Sequence, residues 1–511
     1  MGPREAGAGQ RPPSVTHSIL EALDRHAEQS PDALALNDAT YRELRAASLR
    51  VAAKFRAAGV RPGDRVAIYA ENCPGFVYAY LGGLRADAIV VPVNVLYRAA
   101  DLEHVLEDAK PVVVCVSEQS ASFASQSHGR QLVAMDDVEA WAHDDSIAQL
   151  TDTLAPQEDD AAILIYTSGT TGRSKGAELS HRNLGAIADQ LVEAWRWTSA
   201  DTLLLTLPLF HVHGLGAGLN GTLVAGARVL LRERFDAAWV VAALDAGKAT
   251  MFFGVPTMYV RILEQAGPGV RFDRVRLFVS GSAALPATVH EEFARRFGIS
   301  ILERYGSTEF GFALSNRYDG ARHAGTVGFP LPQVEIRLAD PDGNDVAPGE
   351  TGEILVHGPN VSRGYWRNAA ASQDAFVSDA QGRRWYRSGD LATYDPERGY
   401  TINGRLKELV ISGGFNVYPI EVETELLRIP GITAAALVGQ PDAARGEIPV
   451  AFIETNADYD EAAALATLRE RLASFKVPKA LYRIETLPRN AMGKVEKTRL
   501  RSDLVEKVAR A

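Results

Sequence analysis

The stretch Tyr166-Thr-Ser-Gly-Thr-Thr-Gly-Arg-Ser-Lys-Gly176 is the most informative feature of this sequence. It follows an apolar run at residues 161–165, which is typical of a buried strand. Its glycines allow a tight turn in which several backbone N–H groups point into one concavity, and its hydroxyls and Lys175 add donors that suit phosphate oxygens. It is not a Walker A motif, because that motif places its lysine directly after glycine, whereas Lys175 follows Ser174. The stretch therefore predicts a different polyphosphate-binding loop, as in an enzyme that uses ATP.

Length, charge and cysteine content restrict the class of protein. A chain of 511 residues is too long for one ordinary core, so we expect two or more domains. The net charge of −10 disfavours a broad surface for nucleic acid or anionic lipid, and no apolar run approaches the length of a membrane span. The two cysteines, Cys73 and Cys115, form neither a disulfide framework nor a metal-site pattern. We expect a cytoplasmic protein without a nucleic-acid partner.

The pattern of the chain predicts α/β layers. Strand-like and helix-like segments alternate, and Thr40-Tyr-Arg-Glu43 and Ser180 are suited to begin helices. Short strands around Asp342-Gly343 indicate a small β-rich subdomain. Beyond Gly404 the alternation starts anew, which indicates a boundary.

The expected organisation is a large N-terminal α/β domain with a small β-rich subdomain, plus a smaller, mobile α+β C-terminal domain. A Gly-, Pro- and Arg-rich segment without an apolar core precedes them and is expected to be a flexible tail. The predicted divisions are 1–15 for the tail, 16–404 for the N-terminal domain and 405–511 for the C-terminal domain.

Further clusters of polar residues and glycines follow the loop. They are Leu207–Gly214, Glu303–Glu309, Tyr386–Leu391, Gly404–Pro419 and Pro488–Val495. Together with the loop, and in this order, they resemble the motifs of the acyl-adenylate-forming superfamily, which includes acyl-CoA synthetases, adenylation domains and firefly-type luciferases. The resemblance extends over residues 16–505.

The resemblance implies a two-step reaction that uses ATP, Mg²⁺ and coenzyme A. A carboxylate attacks the α-phosphate of ATP, giving an acyl-adenylate and pyrophosphate, and a thiol then displaces AMP to give a thioester. Because the nucleophile is already ionised, the first step needs alignment and charge neutralisation more than it needs a base. Cationic side chains and backbone N–H donors supply both the alignment and the charge neutralisation.

The resemblance also implies which residues bind ATP. The β- and γ-phosphates would be held by Thr167, Ser168, Gly169, Thr170, Thr171, Gly172 and Lys175. The adenosine and the α-phosphate would be bound by Gly281, Ser282, Ala283, Tyr305, Gly306, Thr308, Asp390 and Arg405. Among these, Tyr305 would stack on adenine, Thr308 would bond the α-phosphate and Asp390 would accept hydrogen bonds from the ribose. Glu309 would be the Mg²⁺ ligand.

Two lysines would divide the reaction between two arrangements of the domains. By resemblance, Lys494 would bridge the substrate carboxylate and the α-phosphate during adenylation. Lys407 would be the hinge about which the C-terminal domain rotates, withdrawing Lys494 and bringing Gly413 and Gly414 to the thiol tunnel. Thr308, Glu309, His211 and Lys494 are the expected catalytic residues.

The acid is expected to be small. Within the superfamily, the stretches 254–261, 276–285 and 315–330 most resemble malonyl-CoA synthetases. A second substrate carboxylate would need an arginine, for which Arg276 is the first candidate and Arg261 the second. By the same resemblance, His211 and Ser307 are expected to contact the acid.

Other acids and another thiol stay open. Ser307 stands where the malonate enzymes tend to carry Met, and Phe310 and Phe312 follow it, so a medium-chain, branched or aryl acid is the alternative. The thiol would be that of coenzyme A or of a carrier protein, and free coenzyme A is the simpler expectation because no carrier module follows Lys494. The sequence leaves the oligomeric state open.

Overall fold

A computed structural model provides the structure of the chain. It describes residues 18–120, 130–151, 157–167, 173–442, 445–456, 459–490 and 493–502. The expected tail and residues 168–172 of the phosphate loop lie outside the described residues.

Two mostly parallel sheets form the N-terminal part. Among the described residues the first has seven strands, in the spatial order Gly364–Tyr365, Lys175–Ser180, Ala161–Thr167, Ile89–Pro92, Arg65–Tyr69, Val113–Val116 and Gln131–Ala134. The second has nine strands, in the order Phe329–Pro330, Leu314–Ser315, Leu302–Tyr305, Leu277–Ser280, Met251–Gly254, Thr202–Leu205, Arg228–Leu231, Leu34–Leu36 and Ala39–Thr40. One contiguous apolar core includes residues of both sheets.

Helices cover these sheets. Within the described part of the N-terminal region they are Ile19–Gln29, Tyr41–Ala57, Pro74–Arg85, Ala99–Ala109, Met135–His143, His181–Ala194, His213–Asn220, Gly221–Ala225, Ala237–Asp245, Pro256–Gln265, Ala287–Phe297 and Ala369–Asp374. Thr40 and Ser180 begin helices as predicted, each accepting a hydrogen bond from the backbone N–H three residues on. No helix of the described residues is long and apolar enough to cross a membrane.

A third sheet is the predicted β-rich subdomain. It contains the strands Glu335–Ala339, Gly352–His357, Arg384–Asp395, Phe376–Ser378 and Gly399–Arg405. The turn at Gly343 has the positive φ, 86°, that the Asp-Gly pair predicted.

The C-terminal part has its own sheet and its own cores. Among its described residues the strands are Val410–Ser412, Phe415–Val417, Ile432–Asp442, Gly446–Thr455 and Leu481–Arg483. The helical segments there are Leu406–Glu408 (one 3₁₀ turn), Pro419–Leu427, Glu461–Arg471 and residues 497–502. Two apolar clusters are built from residues 410–500 alone. The expected fold class, a large N-terminal and a smaller C-terminal domain of mixed α and β structure, is confirmed; the boundary at residue 405 stays a prediction.

Candidate active site

Several predicted segments meet at one edge of the nine-stranded sheet. The neighbouring strands Leu277–Ser280 and Leu302–Tyr305 run parallel, so the segments that follow them, Gly281–Ala283 and Gly306–Glu309, leave the sheet at the same edge. Thr202–Leu205 is parallel within the same sheet and leads to His211. The carboxyl edge of a parallel sheet is the usual place for a ligand site.

Close packing fixes the backbone at this edge. A Cβ atom on Gly281 would lie 2.4 Å from Nε of Arg304, and one on Gly306 would lie 2.0 Å from the carbonyl oxygen of Gly311. Ser282 has a φ of 69°, in the left-handed region that costs energy for a residue other than glycine. Such strain is concentrated at functional sites.

Three residues predicted to bind the nucleoside lie together. The hydroxyl of Tyr305 donates a hydrogen bond of 2.6 Å to Oδ2 of Asp390. Nε of Arg405 lies 3.2 Å from Oδ1 of Asp390, because the two residues face each other on paired strands. Burial, and then the Asp390 carboxylate, raise the pKa of Tyr305 well above its usual range, so its hydroxyl stays protonated. The cluster offers an aromatic ring, a carboxylate and a cation to one ligand.

Glu309 is held by two hydroxyl groups. Its Oε2 accepts a hydrogen bond of 2.8 Å from Oγ of Ser307, and its Oε1 accepts one of 2.9 Å from the hydroxyl of Tyr365. The ring of Tyr365 lies 5.2 Å from Nζ of Lys175. Tyr365 therefore links the expected metal ligand to the phosphate-loop lysine, a connection that sequence reasoning missed because a two-residue strand has no visible period.

The residues around Glu309 fit a magnesium ion that is shared with a substrate. Each carboxylate oxygen keeps a lone pair beyond the hydrogen bond it accepts, and Thr308 beside it is buried. No group of three or more acidic, His or Cys side chains with metal-site geometry occurs in the described part of the chain. Mg²⁺ commonly takes one or two protein carboxylates and completes its shell with phosphate oxygens and water.

The two ends of the phosphate loop are fixed although its centre is outside the described residues. Thr167 pairs with Lys175 across an antiparallel hairpin. His104 shares a hydrogen bond of 2.8 Å with the carbonyl oxygen of Ser174. A cavity of about 300 Å³ beside the hairpin is lined by His104, Asp108, Arg173, Ser174, Lys175, Gly176, Trp366, Arg367 and Asn368. Its cations suit the anionic ligand that the loop predicts.

Lys494 is carried by a tight loop of the C-terminal part. The Asn490 side chain accepts a hydrogen bond of 3.0 Å from the Lys494 N–H, and the Asn490 N–H donates one of 2.9 Å to the Lys494 carbonyl. A Cβ atom on Gly493 would lie 3.4 Å from Oγ1 of Thr257, so the loop rests against the N-terminal part. Burial and the charge of Arg405 lower the pKa of Lys494 to about 8. Lys494 thus belongs to the same charged cluster as Arg405 and Asp390.

The two histidines lie behind this edge, His213 fully buried and His211 half-buried, and the group that they form with Arg304 and Phe312 is called the buried pocket. Burial, and then the charge of Arg304, lower the pKa of His211 to about 4, so His211 is neutral at pH 7. His213, which sequence reasoning treated as structural, stacks on Phe253 and has its Nδ1 3.3 Å from Oγ of Ser282. Its segment, His213–Asn220, is wound as a π-helix, a rare form that often occurs at functional sites.

Arg304 enters the same pocket. Its guanidinium is stacked 4.5 Å from the ring centre of Phe312 and donates a hydrogen bond of 3.4 Å to Oγ of Ser282. Its Nε is buried without a partner, and no carboxylate of the described residues forms an ion pair with it. Burial lowers the pKa of Arg304 to about 9. In the sequence, Arg304 stands near the end of a strand that was predicted to be buried. This position could have marked it as a candidate site residue, but the prediction did not use it.

The structure does not support the predicted acid-binding role of Arg276. Its Nε and Nη2 each lie 2.7 Å from an oxygen of Asp201, and its Nη1 donates to the carbonyl of Trp195. It directly precedes the strand Leu277–Ser280 and so lies at the amino edge of the sheet, opposite His211. Arg261, the second candidate, is exposed on its helix. The expectation for Arg276 is therefore corrected: its charge is already neutralised by Asp201.

Phe310 and Phe312 are both fully buried and differ in their contacts. Phe310 packs between Tyr305 and Tyr386, below the nucleoside cluster. Phe312 faces His213 and Arg304. Only Phe312 therefore contacts the side chains that form the buried pocket.

Residues predicted for the second half-reaction lie on the C-terminal domain. Lys407 is exposed in the turn Leu406–Glu408. Gly413 and Gly414 form a turn with φ values of 59° and 83°, followed by Phe415, which is 57% exposed. The structure brings Lys494 to the charged cluster and leaves this turn open.

Comparisons with known proteins agree with this arrangement. The family model described as AMP-binding enzyme matches residues 23–366, and that of its C-terminal domain matches residues 421–494. A feruloyl-CoA synthase of Amycolatopsis sp is 37% identical over 93% of this chain and 97% of its own length. The mitochondrial malonate–CoA ligase of Mus musculus is 35% identical over 91% of this chain and 87% of its own length. The ATP-bound structure of MatB from Rhodopseudomonas palustris superposes with a TM-score of 0.88 at 37% identity, over 95% of this chain and 98% of that one.

Proposed function

The chain belongs to the AMP-binding enzyme family and is an acyl-CoA ligase, and we propose that its acid is a small dicarboxylate of the malonate class. The observation that carries the proposal is the uncompensated cation Arg304 in the buried pocket. A malonate–CoA ligase is among the similar proteins, in agreement with such an acid.

The pocket suits a second carboxylate for an electrostatic reason. A buried guanidinium without a counter-ion is costly, and pairing with an anion in a low-dielectric pocket offsets that cost. A bidentate guanidinium–carboxylate pair also fixes the direction of the substrate. Ser282 adds a hydroxyl, and neutral His211 adds no competing charge. One carboxylate would therefore be held at Arg304 while the other is presented to the nucleotide.

The adenylation step follows from the charges at the edge of the sheet. The attacking carboxylate oxygen forms a bond to the α-phosphorus, and the bond from that phosphorus to the bridging oxygen of pyrophosphate breaks. Lys494 and Thr308 would neutralise and orient the anionic groups, while Tyr305 and Asp390 hold the nucleoside. A magnesium ion, when bound at Glu309, would neutralise charge on the leaving pyrophosphate.

The thioester step needs the second domain arrangement. Rotation about Lys407 would withdraw Lys494 and bring the Gly413–Gly414 turn toward the acyl-adenylate. The thiol of coenzyme A would lose its proton to water and its sulfur would bond to the acyl carbon, while the bond from that carbon to the phosphate oxygen breaks and AMP leaves. The exposed side chain of Phe415 next to this turn would then become covered by the N-terminal domain.

An aryl acid is the second candidate. Phe253 and Phe312 flank His213 and offer aromatic walls, and a feruloyl-CoA synthase is among the similar proteins. In that case Arg304 would bind a phenolic or other polar substituent in place of a carboxylate.

A panel of acids separates the two candidates. Pyrophosphate release would be measured with ATP, Mg²⁺ and malonate, methylmalonate, acetate, octanoate, benzoate or ferulate, each with and without coenzyme A. The proposal predicts the highest kcat/KM with malonate or methylmalonate. Preference for benzoate or ferulate would refute it and support the aryl acid, and turnover with a holo-carrier protein in place of coenzyme A would reassign the thiol.

A further inference from the structure

Lys497, three residues beyond Lys494, is held by two carboxylates. Its Nζ lies 2.7 Å from Oε1 of Glu423 and 3.2 Å from Oε2 of Glu408. Burial opposes the charged form of Lys497, but the two carboxylates outweigh it and raise its pKa. Because the side chain is only 15% exposed, these ion pairs are weakly screened by solvent.

The two carboxylates lie on different segments of the C-terminal domain. Oε1 of Glu423 also accepts a hydrogen bond of 2.7 Å from the N–H of Leu437, so it is fixed to the central sheet of that domain. Glu408 directly follows Lys407, the proposed hinge. Lys497 therefore joins the catalytic-lysine loop to the domain core and to the turn beside the hinge.

Four charged groups act on the ammonium of Lys494. Arg405 and Asp390 precede the proposed hinge Lys407 in the chain and are paired with each other at 3.2 Å, while Glu408 and Lys497 follow it. Burial, Arg405 and Lys497 disfavour the ammonium, whereas Glu408 and Asp390 favour it. Glu408 and Lys494 both follow the hinge in the chain. The carboxylate of Glu408 therefore offsets the lowering of the Lys494 pKa by Arg405 without depending on the N-terminal part.

We propose that Glu408 is a positioning residue for the adenylation step. Through Lys497 it ties the Lys494 loop to the turn beside the hinge, and its charge favours the ammonium form of Lys494 when the loop is docked. The inference rests on the proposed role of Lys494. Because Glu408 and Lys497 both follow Lys407, they would rotate together with the loop, so the thioester step does not depend on them.

The test is Glu408→Gln, which removes the charge and keeps the size. ATP–pyrophosphate exchange and thioester formation from supplied acyl-adenylate would each be measured from about pH 6.5 to about pH 9.5. The alkaline limb of the exchange should move down by about 0.5–1 pH unit, a loss of about 3- to 10-fold near pH 9, because deprotonation of Lys494 becomes easier. Thioester formation should stay within about twofold of the native rate.

Matched variants test the connection through Lys497. Lys497→Met should lower the exchange on the plateau below about pH 8, because the Lys494 loop loses its ion pairs to Glu408 and Glu423. Lys497→Arg should restore most of it, since Arg keeps the ion pairs. Glu425→Gln is the control. It removes a carboxylate from the helix that carries Glu423, one that pairs with the exposed Arg428, and it should leave the pH profile unchanged.

Two outcomes would overturn the inference. One is an alkaline limb that does not move in Glu408→Gln, and the other is an equal loss in both half-reactions, as a purely structural role would give. Lys494→Ala, measured in parallel, separates this failure from that of the proposed function. If Lys494→Ala abolishes the exchange while Glu408→Gln leaves the native profile, only the role of Glu408 is refuted.

Discussion

Arg304 and Arg276 differ in what balances their charge. Arg276 is neutralised by Asp201, which lies 75 residues earlier in the sequence, through two contacts of 2.7 Å. Arg304 is buried beside a phenylalanine ring and a serine hydroxyl. The sequence shows two arginines next to strands, and it cannot show which of them meets a carboxylate, because that depends on how distant segments pack.

Substitution of Arg304 and of Arg276 gives two matched predictions. Arg304→Gln should lower kcat/KM for malonate by about 30- to 150-fold, the equivalent of about 2–3 kcal/mol for a charged hydrogen-bonded pair, and leave activity with acetate nearly unchanged. Its thermal midpoint should not fall, because an uncompensated buried cation is removed. Kinetics with the two acids and thermal unfolding check both statements.

Arg276→Gln should behave in the opposite way. It leaves Asp201 buried without its partner, so the protein should lose roughly 2–4 kcal/mol of stability. The ratio of kcat/KM for malonate to that for acetate should stay native. A fall in that ratio with Arg276→Gln, or none with Arg304→Gln, would contradict the assignment.

Lys494 is a residue whose role was predicted from the sequence, because a single lysine stands on a glycine turn at the place expected from the other motifs. The structure adds its electrostatic environment, which lowers its pKa to about 8. The protonated form is the one that neutralises the anionic groups, so the adenylation rate should be full below about pH 8 and should fall as the pH rises through that value.

A substitution tests the same residue. Lys494→Ala should abolish ATP–pyrophosphate exchange at every pH and leave thioester formation from supplied acyl-adenylate largely intact. A comparable loss in both half-reactions would show that the variant is damaged as a whole and would count against the assigned role.

At the scale of elements, the sequence predicts regular segments well. The strand Ala161–Thr167 begins where the apolar run at residues 161–165 predicts it, and the helices after Thr40 and Ser180 begin at the predicted residues. The edge strand Gly364–Tyr365 and the π-helix His213–Asn220 were not predicted. A two-residue strand has no period, and a glycine-rich segment has low helix propensity, so tertiary packing decides both.

The hinge turn gives a prediction at this scale. Lys407→Pro fixes φ at a position that must change between the two arrangements. Adenylation should stay within about threefold of native, while overall thioester formation should fall by at least about tenfold. Lys407→Ala, which keeps the backbone free, is the control and should retain most of the overall activity. Native turnover in the proline variant would refute the hinge.

In the whole molecule, the N-terminal and C-terminal parts have separate apolar cores. The apolar clusters of residues 410–500 do not include residues of the N-terminal sheets, so one part can rotate without breaking a shared core. The net charge of −10 would repel ATP, and cations gathered at one edge of the sheet offset it locally. The sequence predicts both features, whereas the docked position of the Lys494 loop is seen only in the structure.

A competition between acids tests whether the chain is specific for a small dicarboxylate. The intact chain would be given ATP, Mg²⁺ and an equimolar mixture of malonate, octanoate and ferulate without coenzyme A, and the bound adenylates would be identified by mass spectrometry, before and after coenzyme A is added. If Arg304 binds the second carboxylate, malonyl-adenylate should form first and be converted to malonyl-CoA on addition of the thiol. Preferential formation of the octanoyl or feruloyl adenylate would contradict the dicarboxylate assignment, and no adenylate from any of the three acids would contradict the proposed reaction with these acids.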